Sequence, residues 1–231
     1  MNLNELKFAS EPIVSNDGNL VACVVAEVAQ DQKSYTSGIY LSRDDQEVRR
    51  LTSGKHKDAA PRFSPDGSQM VFTRVVDGKP QLFVLPLSGG EPRQLTNYKA
   101  GVSSPAWSND GSRVAFLSRG DWVDEALQDG QPRVVEDLRY KSNGIGGAGL
   151  LPSEPLALYV LELEQEKSQI ISNHPTDIES YAWLPDGWGL VFTAARDKAQ
   201  AARWGAEVFL LMLGKKKPRR LSNFKGYLGH I

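Results

Sequence analysis

One pattern occurs four times along this chain of 231 residues and limits its fold more than any other feature. Each copy has an apolar residue, a polar turn and then a short apolar run that is rich in β-forming side chains. An Asp-Gly pair lies in every turn, and the four pairs are Asp17-Gly18, Asp66-Gly67, Asp110-Gly111 and Asp186-Gly187. Repetition on this scale is typical of architectures in which each unit packs against its neighbours.

Two further elements follow each turn in a constant order. The second is an apolar segment such as residues 81–85, and the third ends in an aliphatic residue followed by threonine or serine. These endings are Leu51-Thr52, Leu95-Thr96, Ile171-Ser172 and Leu221-Ser222. The turn glycines are separated by 49, 44 and 76 residues, and a four-stranded propeller blade takes about 40–50 residues.

The spacing therefore predicts an all-β fold, a β-propeller built of four-stranded blades. The predicted blades are roughly residues 8–54, 55–97, 98–173 and 174–223, and residues 224–231 would begin a further blade. The third blade carries an insertion at residues 119–155. Residues 27–33 and 197–204 have helical character over one or two turns, which fits enlarged loops between strands.

The aspartates of the repeated turns have two interpretations. They could act as acid–base groups, since they recur beside apolar strands. A structural role is favoured because a glycine follows the aspartate every time: aspartate can hydrogen-bond the turn backbone, and glycine accepts the positive φ that ends the turn. We therefore interpret all four Asp-Gly pairs as structural turns.

Composition and charge exclude several classes of function. The chain has 27 basic and 28 acidic residues, which argues against a broad basic face for nucleic acid. A single cysteine, Cys23, excludes an intramolecular disulfide and a multi-cysteine zinc site. The histidines are not at metal-ligand spacing, and we interpret His56 and His174 as solvated loop residues. We expect no metal.

Cofactor and catalytic motifs are also missing from the sequence. Gly144–Gly149 has the form G-x-G-x-x-G, but Pro152 and Pro155 follow it and prevent the helix that a dinucleotide site needs. We expect no cofactor. No G-x-S-x-G pentapeptide occurs, so no catalytic residue is assigned. The amino terminus lacks a signal-peptide pattern, and no apolar run is long enough to span a membrane. These features predict a cytoplasmic protein without a membrane partner.

The insertion at residues 119–155 is the most distinctive segment. It contains Trp122 and Tyr140 among charges of both signs. Long loops on rigid scaffolds often carry function, but an insertion can also cover the edge of a blade. Both interpretations stay open.

The repeats, clearest in Phe63-Ser64-Pro65-Asp66-Gly67, resemble those of the prolyl oligopeptidase family and of Tol-type periplasmic propellers. Residues 133–146 of the insertion are similar to an Arg-Tyr-Lys-x-Asp-Gly-x-Gly stretch of the acylaminoacyl-peptidase branch. Asn143 replaces the usual aspartate and Gly147 the usual aromatic residue. The resemblance implies a substrate-access loop that contains Arg139, Tyr140, Lys141 and Asn143.

The resemblance to that branch implies a propeller of about seven blades, followed by an α/β-hydrolase domain with a Ser-Asp-His triad. The resemblance therefore implies an incomplete amino-terminal propeller, whose partner is a carboxy-terminal α/β-hydrolase domain absent from this chain. Short or N-acylated peptides would be substrates of that domain. No residue of this chain matches a triad position.

Two functions follow from these observations. In the first, the chain is the non-catalytic gating propeller of a serine peptidase and excludes large substrates sterically. In the second, it is a self-contained four-bladed propeller that serves as a protein-interaction scaffold of the Tol or WD type. An open array of blades leaves unpaired strand edges, through which the chain could form a homo-oligomer.

Overall fold

The computed structural model describes residues 6–29, 34–43, 47–123, 152–172, 174–201, 205–215 and 217–222. These residues form four antiparallel sheets of four strands each, and every sheet is a meander in which strands adjacent in sequence pair. The prediction of an all-β propeller with four-stranded blades is therefore confirmed for these four sheets, which we call blades 1 to 4. The exact division between blades stays a prediction.

The first two blades are continuous in sequence. Blade 1 consists of β1 (Lys7–Val14), β2 (Leu20–Val28), β3 (Tyr35–Arg43) and β4 (Arg49–Arg50). Blade 2 consists of β5 (Asp58–Phe63), β6 (Gln69–Val76), β7 (Lys79–Pro86) and β8 (Arg93–Gln94).

The last two blades repeat this order. Blade 3 consists of β9 (Val102–Trp107), β10 (Arg113–Ser118), β11 (Ala157–Glu162) and β12 (Lys167–Ile170). Blade 4 consists of β13 (Ile178–Trp183), β14 (Gly189–Ala194), β15 (Glu207–Met212) and β16 (Arg219–Arg220), and the one-turn helix α1 (Lys198–Ala201) lies between β14 and β15.

The two segments with helical character have different structures. Helix α1 lies inside residues 197–204, as expected of an enlarged loop. The interpretation was wrong for Glu27 and Val28, which belong to strand β2 and pair with Thr36 and Tyr35. Cross-strand pairing with β3 overrides the local helical preference here.

The core lies between the blades in three separate layers, because each sheet has side chains on both faces. Alternate residues of the second strand face opposite neighbours. In blade 2, Met70 and Phe72 pack against blade 1, whereas Val71 packs against blade 3. The third layer joins blades 3 and 4.

A stacked aromatic pair crosses the second and third strands in three of the blades. The pairs, with their centroid distances, are Phe72–Phe83 at 5.9 Å, Phe116–Tyr159 at 5.5 Å and Phe192–Phe209 at 5.3 Å. Each pair faces the preceding blade and packs in the layer between the two blades. In blade 1 the corresponding pair is Cys23 and Tyr40.

Candidate functional site

The Asp-Gly turns of blades 1 to 3 have the same pattern of hydrogen bonds. A serine two residues before the aspartate donates its hydroxyl proton to the carboxylate, and this Oγ–Oδ1 distance is 2.6 Å for both Ser64–Asp66 and Ser108–Asp110. The same serine oxygen accepts the N–H of Gln69 in blade 2, at 2.9 Å. Ser15 and Asp17 make the equivalent bond in blade 1. Each turn is thus closed by its own side chains.

These bonds favour the ionised carboxylates. The Ser64 hydroxyl, followed by the Ser68 hydroxyl and backbone N–H, lowers the pKa of Asp66 to about 2. The Ser108 hydroxyl and the Ser112 backbone N–H lower the pKa of Asp110 to about 2. Every one of these bonds is local to its own turn, and the structural role of the aspartates stays a prediction.

The turn of blade 4 lacks the serine. Leu184 occupies its position, and Asp186 accepts a hydrogen bond from the Trp188 N–H at 3.0 Å. The backbone bond that closes the turn is kept, from the Gly187 N–H to the Leu184 carbonyl at 2.9 Å. Glycine has a positive φ in all four turns, from 68° to 80°.

Neighbouring turns are joined at two of the three blade boundaries. The Asn16 side chain of blade 1 donates to the Pro65 carbonyl of blade 2, at 3.2 Å. The Asn109 side chain of blade 3 donates to the Pro185 carbonyl of blade 4, at 2.7 Å. At the boundary between blades 2 and 3 the corresponding position is Pro65 itself, whose side chain has no donor.

A groove of about 700 Å³ opens between the turns of blades 2 and 3, where that bond is missing. Its walls carry the carboxylates of Asp66 and Asp110, and Trp107 and Arg93 also line it. Arg93 is paired with Glu166 across the two blades. A groove of this size can hold a small molecule or a peptide side chain.

The first strands of successive blades lie side by side at the inner edge of the arc, which we call the inner-strand surface. Trp107 at the end of β9 donates its indole N–H to the Arg62 carbonyl of β5, at 3.0 Å. Trp183 of β13 makes the same bond to the Ala106 carbonyl of β9, at 3.2 Å. Tyr181 of β13 also donates to the Ser104 carbonyl.

A β-bulge interrupts each inner strand; in blades 1 to 3 it lies opposite the same position of the second strand, and in blade 4 it lies nearer the end of β14. In blades 1 to 3 the bulge contains a residue with positive φ, namely Glu11 at 51°, Ala60 at 51° and Ser104 at 52°, and a proline follows each. Positive φ is uncommon outside glycine, and such strain is concentrated at functional sites. The Ala60 N–H donates to the Glu11 carboxylate at 2.5 Å, which joins blades 1 and 2.

The hydroxyl that ends each third sequence element has one repeated contact. It accepts the backbone N–H of the third strand in its own blade, at 2.8–3.0 Å. The donors and acceptors are Ile39 to Thr52, Leu82 to Thr96, Leu158 to Ser172 and Val208 to Ser222. The repeat of threonine or serine in the sequence therefore has a direct structural cause.

The two described histidines differ from each other. His56 is exposed, as expected of a solvated loop residue. His174 is only partly exposed: its ring centroid lies 4.8 Å from that of Phe209 and 5.6 Å from that of Phe192. Burial lowers the pKa of His174, so the neutral ring is favoured. The interpretation of His174 was wrong because the aromatic pair of blade 4 covers this loop position.

The predicted substrate-access loop, Arg139, Tyr140, Lys141 and Asn143, lies outside the described residues, so its role stays a prediction. The base of the insertion is described. Arg119 donates to the Asp177 carboxylate at 2.8 Å, and the same carboxylate accepts the Leu156 N–H at 2.6 Å. Arg119 also donates to the Glu154 carbonyl at 2.8 Å. These bonds fix both ends of the insertion beside blade 4.

Two absences concern only the described part of the chain. No group of three acidic, histidine or cysteine side chains is placed to hold a metal ion. No helix there has the length and apolar character needed to cross a membrane.

Sequence reasoning missed the residues that join the inner strands, above all Arg62, Trp107 and Tyr181. A signal was present for the tryptophans: Trp107 and Trp183 directly precede the turn in blades 3 and 4, where blades 1 and 2 have Val14 and Phe63. No sequence signal connects Arg62 with Tyr181, because they lie two blades apart.

Comparisons with known proteins agree with this architecture. The family model of the TolB beta propeller domain matches residues 4–137, more than half of the chain. The "Uncharacterized peptidase YuxL" of Bacillus subtilis (strain 168) is 29% identical over 212 residues, which cover 87% of this chain and 32% of that protein.

Two solved structures have similar folds. Pyrococcus horikoshii acylaminoacyl peptidase superposes with a TM-score of 0.73 and 17% identity, covering 95% of this chain and 33% of that one. TolB from Acinetobacter baumannii gives a TM-score of 0.62 and 18% identity, covering 94% of this chain and 44% of that one. This chain thus spans about one third of the length of either peptidase.

Proposed function

This chain belongs to the TolB beta propeller domain family, and on that premise we propose that it is the gating propeller of a serine peptidase. In this proposal, an α/β-hydrolase domain outside residues 1–231 carries the catalytic triad. The propeller covers the cleft of that domain and limits access to short or N-acylated peptides. The 231-residue chain alone has no hydrolytic activity.

The observation that carries the proposal is the coverage of two peptidases. Most of this chain, 87% and 95%, is matched to about one third of each of them. A module of that relative size leaves room for further blades and for a separate catalytic domain. The described blades also contain nothing that resembles a nucleophile elbow, so they support a role in access rather than in bond cleavage.

The geometry supports a rigid steric filter. Three buried layers, two tryptophan bonds between inner strands and two bonds between turns hold the blades in a fixed arc. A rigid inner-strand surface can exclude folded proteins by size while short peptides pass. Such a filter selects substrates by size and does not react with them.

A second candidate is a protein-interaction scaffold. The observation that favours it is the groove between blades 2 and 3, which lies on the side of the turns and is open to solvent. Similarity to TolB fits this function equally well. In this case the chain would act without a hydrolase domain.

The test is to express two polypeptides: residues 1–231, and the complete open reading frame that contains them. We expect the frame to continue into a G-x-S-x-G segment and its product to cleave acetyl-alanyl-p-nitroanilide, whereas residues 1–231 cleave nothing. Internally quenched peptides of about 5 to 40 residues then test gating, with cleavage decreasing as length increases. A frame that stops at codon 231 would contradict the peptidase proposal and favour the scaffold.

A further inference from the structure

Arg62 is the one charged residue at its position in the repeat. The register of the first two strands pairs Ile13 with Ala22, Arg62 with Val71, Ala106 with Ala115 and Ala182 with Val191. The four equivalent residues are therefore Ile13, Arg62, Ala106 and Ala182. The blade itself requires only a backbone carbonyl there, since Ala106 accepts the Trp183 indole N–H as Arg62 accepts that of Trp107.

Among the described residues, the Arg62 guanidinium donates one hydrogen bond, and its other N–H groups have no acceptor there. Its side chain is exposed, and Nη1 donates to the Pro61 carbonyl at 2.7 Å, which holds the group beside its own strand. A guanidinium carries five N–H donors. Within the ranges that the structure describes, no salt bridge includes Arg62, although nine are formed by other residues.

The inner-strand surface also carries the side chain of Tyr181. Tyr181 of blade 4 directs its hydroxyl to the Ser104 carbonyl of blade 3. Burial raises the pKa of Tyr181, and the positive charge of Arg62 opposes that effect. Because the hydroxyl proton is donated to Ser104, the phenol oxygen can still accept an N–H.

This arrangement combines a cation with an acceptor on a fixed wall. Ala60 and Ser104, both with positive φ, lie at this level and shape the backbone around the two side chains. A planar guanidinium binds carboxylates in a bidentate manner, and a nearby oxygen can accept a peptide N–H. The group that matches both is a carboxylate attached to a short peptide.

We propose that Arg62 is an anion-binding residue of the inner-strand surface, where it binds a peptide carboxylate while Tyr181 accepts a peptide N–H. The choice of a peptide as ligand rests on the proposed function. The carboxylate is either the free terminus or an acidic side chain. Arg62 thereby adds a chemical preference to a filter that otherwise selects by size alone.

Calorimetric titration of the 231-residue chain tests this proposal with three peptides at low salt. They are acetyl-Ala-Ala-Ala with a free carboxyl terminus, the same peptide as the amide, and acetyl-Ala-Asp-Ala-amide. We expect at least one carboxylate peptide to bind about tenfold or more tightly than the neutral amide, the size of one charge-assisted pair. Tighter binding of acetyl-Ala-Ala-Ala would indicate a terminal carboxylate as the ligand, and tighter binding of acetyl-Ala-Asp-Ala-amide would indicate a side-chain carboxylate.

Two variants make the assignment specific. Arg62→Ala should weaken binding of the acid by about tenfold or more and abolish the preference over the amide. The fold should tolerate it, because Ala106 occupies the same position in blade 3. Arg49→Ala removes an exposed arginine at the outer edge and should change nothing. Arg62→Lys should restore part of the affinity, since lysine keeps the charge but loses the bidentate geometry.

Equal affinity for the acids and the amide, or an unchanged affinity in Arg62→Ala, would overturn the proposal. The proposal would also be overturned if none of the three peptides bound. The assay measures binding without hydrolysis. If the acid preference is found and the complete reading frame lacks peptidase activity, only the proposed function fails.

Discussion

Blades 1 and 3 have the same order of strands but differ in the side chains on the face that points away from the following blade. In blade 3 this face carries Phe116 and Tyr159, which Tyr98 of the neighbouring segment covers at centroid distances of 6.0 and 5.2 Å. In blade 1 it carries Cys23 and Tyr40, and no described blade packs on it. Val21 on this face is 45% exposed, whereas Phe116 is fully buried.

On this face of blade 1, charged side chains lie beside Tyr40. The Arg50 guanidinium lies 5.6 Å from the Tyr40 ring centroid and donates to Glu27 at 2.6 Å. Glu27 is also paired with Lys7 at 3.4 Å. Among the described residues, the face of blade 3 that packs on blade 2 carries aromatic rings, whereas the corresponding face of blade 1 carries long polar side chains beside Tyr40.

The largest expected effect comes from removing an aromatic ring on a packed face. Phe116→Ala should lower the free energy of unfolding by about 3–5 kcal/mol, because it leaves a cavity between blades 2 and 3. The equivalent change in blade 1, Cys23→Ala, should cost less than about 1 kcal/mol, since little packing is lost there. Urea denaturation of both variants measures the difference. Similar losses would contradict the contrast between the two faces.

A smaller effect is expected where Arg50 covers blade 1. Gly54 has a φ of 68°, and a Cβ placed there would lie 1.3 Å from Nη2 of Arg50. Gly54→Ala should therefore cost about 2–3 kcal/mol, from backbone strain plus displacement of the guanidinium. Gly78→Ala is the matched control, because Gly78 has a φ of 77° and open space around it.

The control should cost about 1 kcal/mol, the part due to φ alone. In the Arg50→Ala background, the excess cost of Gly54→Ala over Gly78→Ala should disappear. An excess that persists in that background would show that Arg50 is not the group displaced.

The turns offer the opposite test, because blades 1 and 3 should respond alike. Ser108→Ala and Ser15→Ala each remove the hydroxyl that bonds the turn carboxylate, and each should cost about 1 kcal/mol at pH 7. Thermal melts compare the two variants with the wild type. A large difference between them would mean that the turns depend on the blade.

The pH dependence of these turns follows from their lowered pKa values. Asp110 has a pKa of about 2 in the fold, against 3.8 as its ordinary value. Its contribution to stability is complete above about pH 4 and is lost as the pH falls through about 2. Ser108→Ala should flatten that acid limb of the stability curve, measured by urea denaturation between pH 2 and 5. An unchanged limb would contradict the role of the hydroxyl.

The smallest effect concerns the residue that covers the aromatic pair of blade 4. His174 corresponds to Tyr98 of the preceding repeat, and burial lowers its pKa below the ordinary 6.5. The unfolded chain therefore takes up the proton first, so stability should fall as the pH drops below 6.5. His174→Tyr should remove this contribution. Comparing unfolding free energies of both proteins at pH 7.5 and 5.5 isolates it from the other histidines.

Much of the fold was predictable from local chemistry. The Asp-Gly pairs and the three repeated elements predicted four-stranded blades, because a turn with a positive φ requires glycine and alternation requires a strand. The repeat of threonine and serine after the third element was visible too, although its hydrogen bond to the third strand was not. Local sequence encodes local bonds, and these are repeated four times.

The candidate site was much less predictable. The groove lies at the one described boundary where Pro65, and not an asparagine, occupies the position that joins neighbouring turns. The predicted loop residues Arg139 to Asn143 lie outside the described part of the chain and stay a prediction. Arg62 and Tyr181 belong to strands of different blades, 119 residues apart in the sequence.

By itself, then, the sequence determined the strands, the turns and the number of repeats in the chain. Those features depend on the φ of glycine, on the alternation of side chains and on hydrogen bonds within a few residues. Only the tertiary structure decided that Phe116 is buried while Cys23 lies on the opposite face of its strand from blade 2, that His174 is partly covered, and that Arg62 forms no salt bridge with another described residue. These properties depend on which blade packs against which, and contacts between blades join residues that are far apart in the chain.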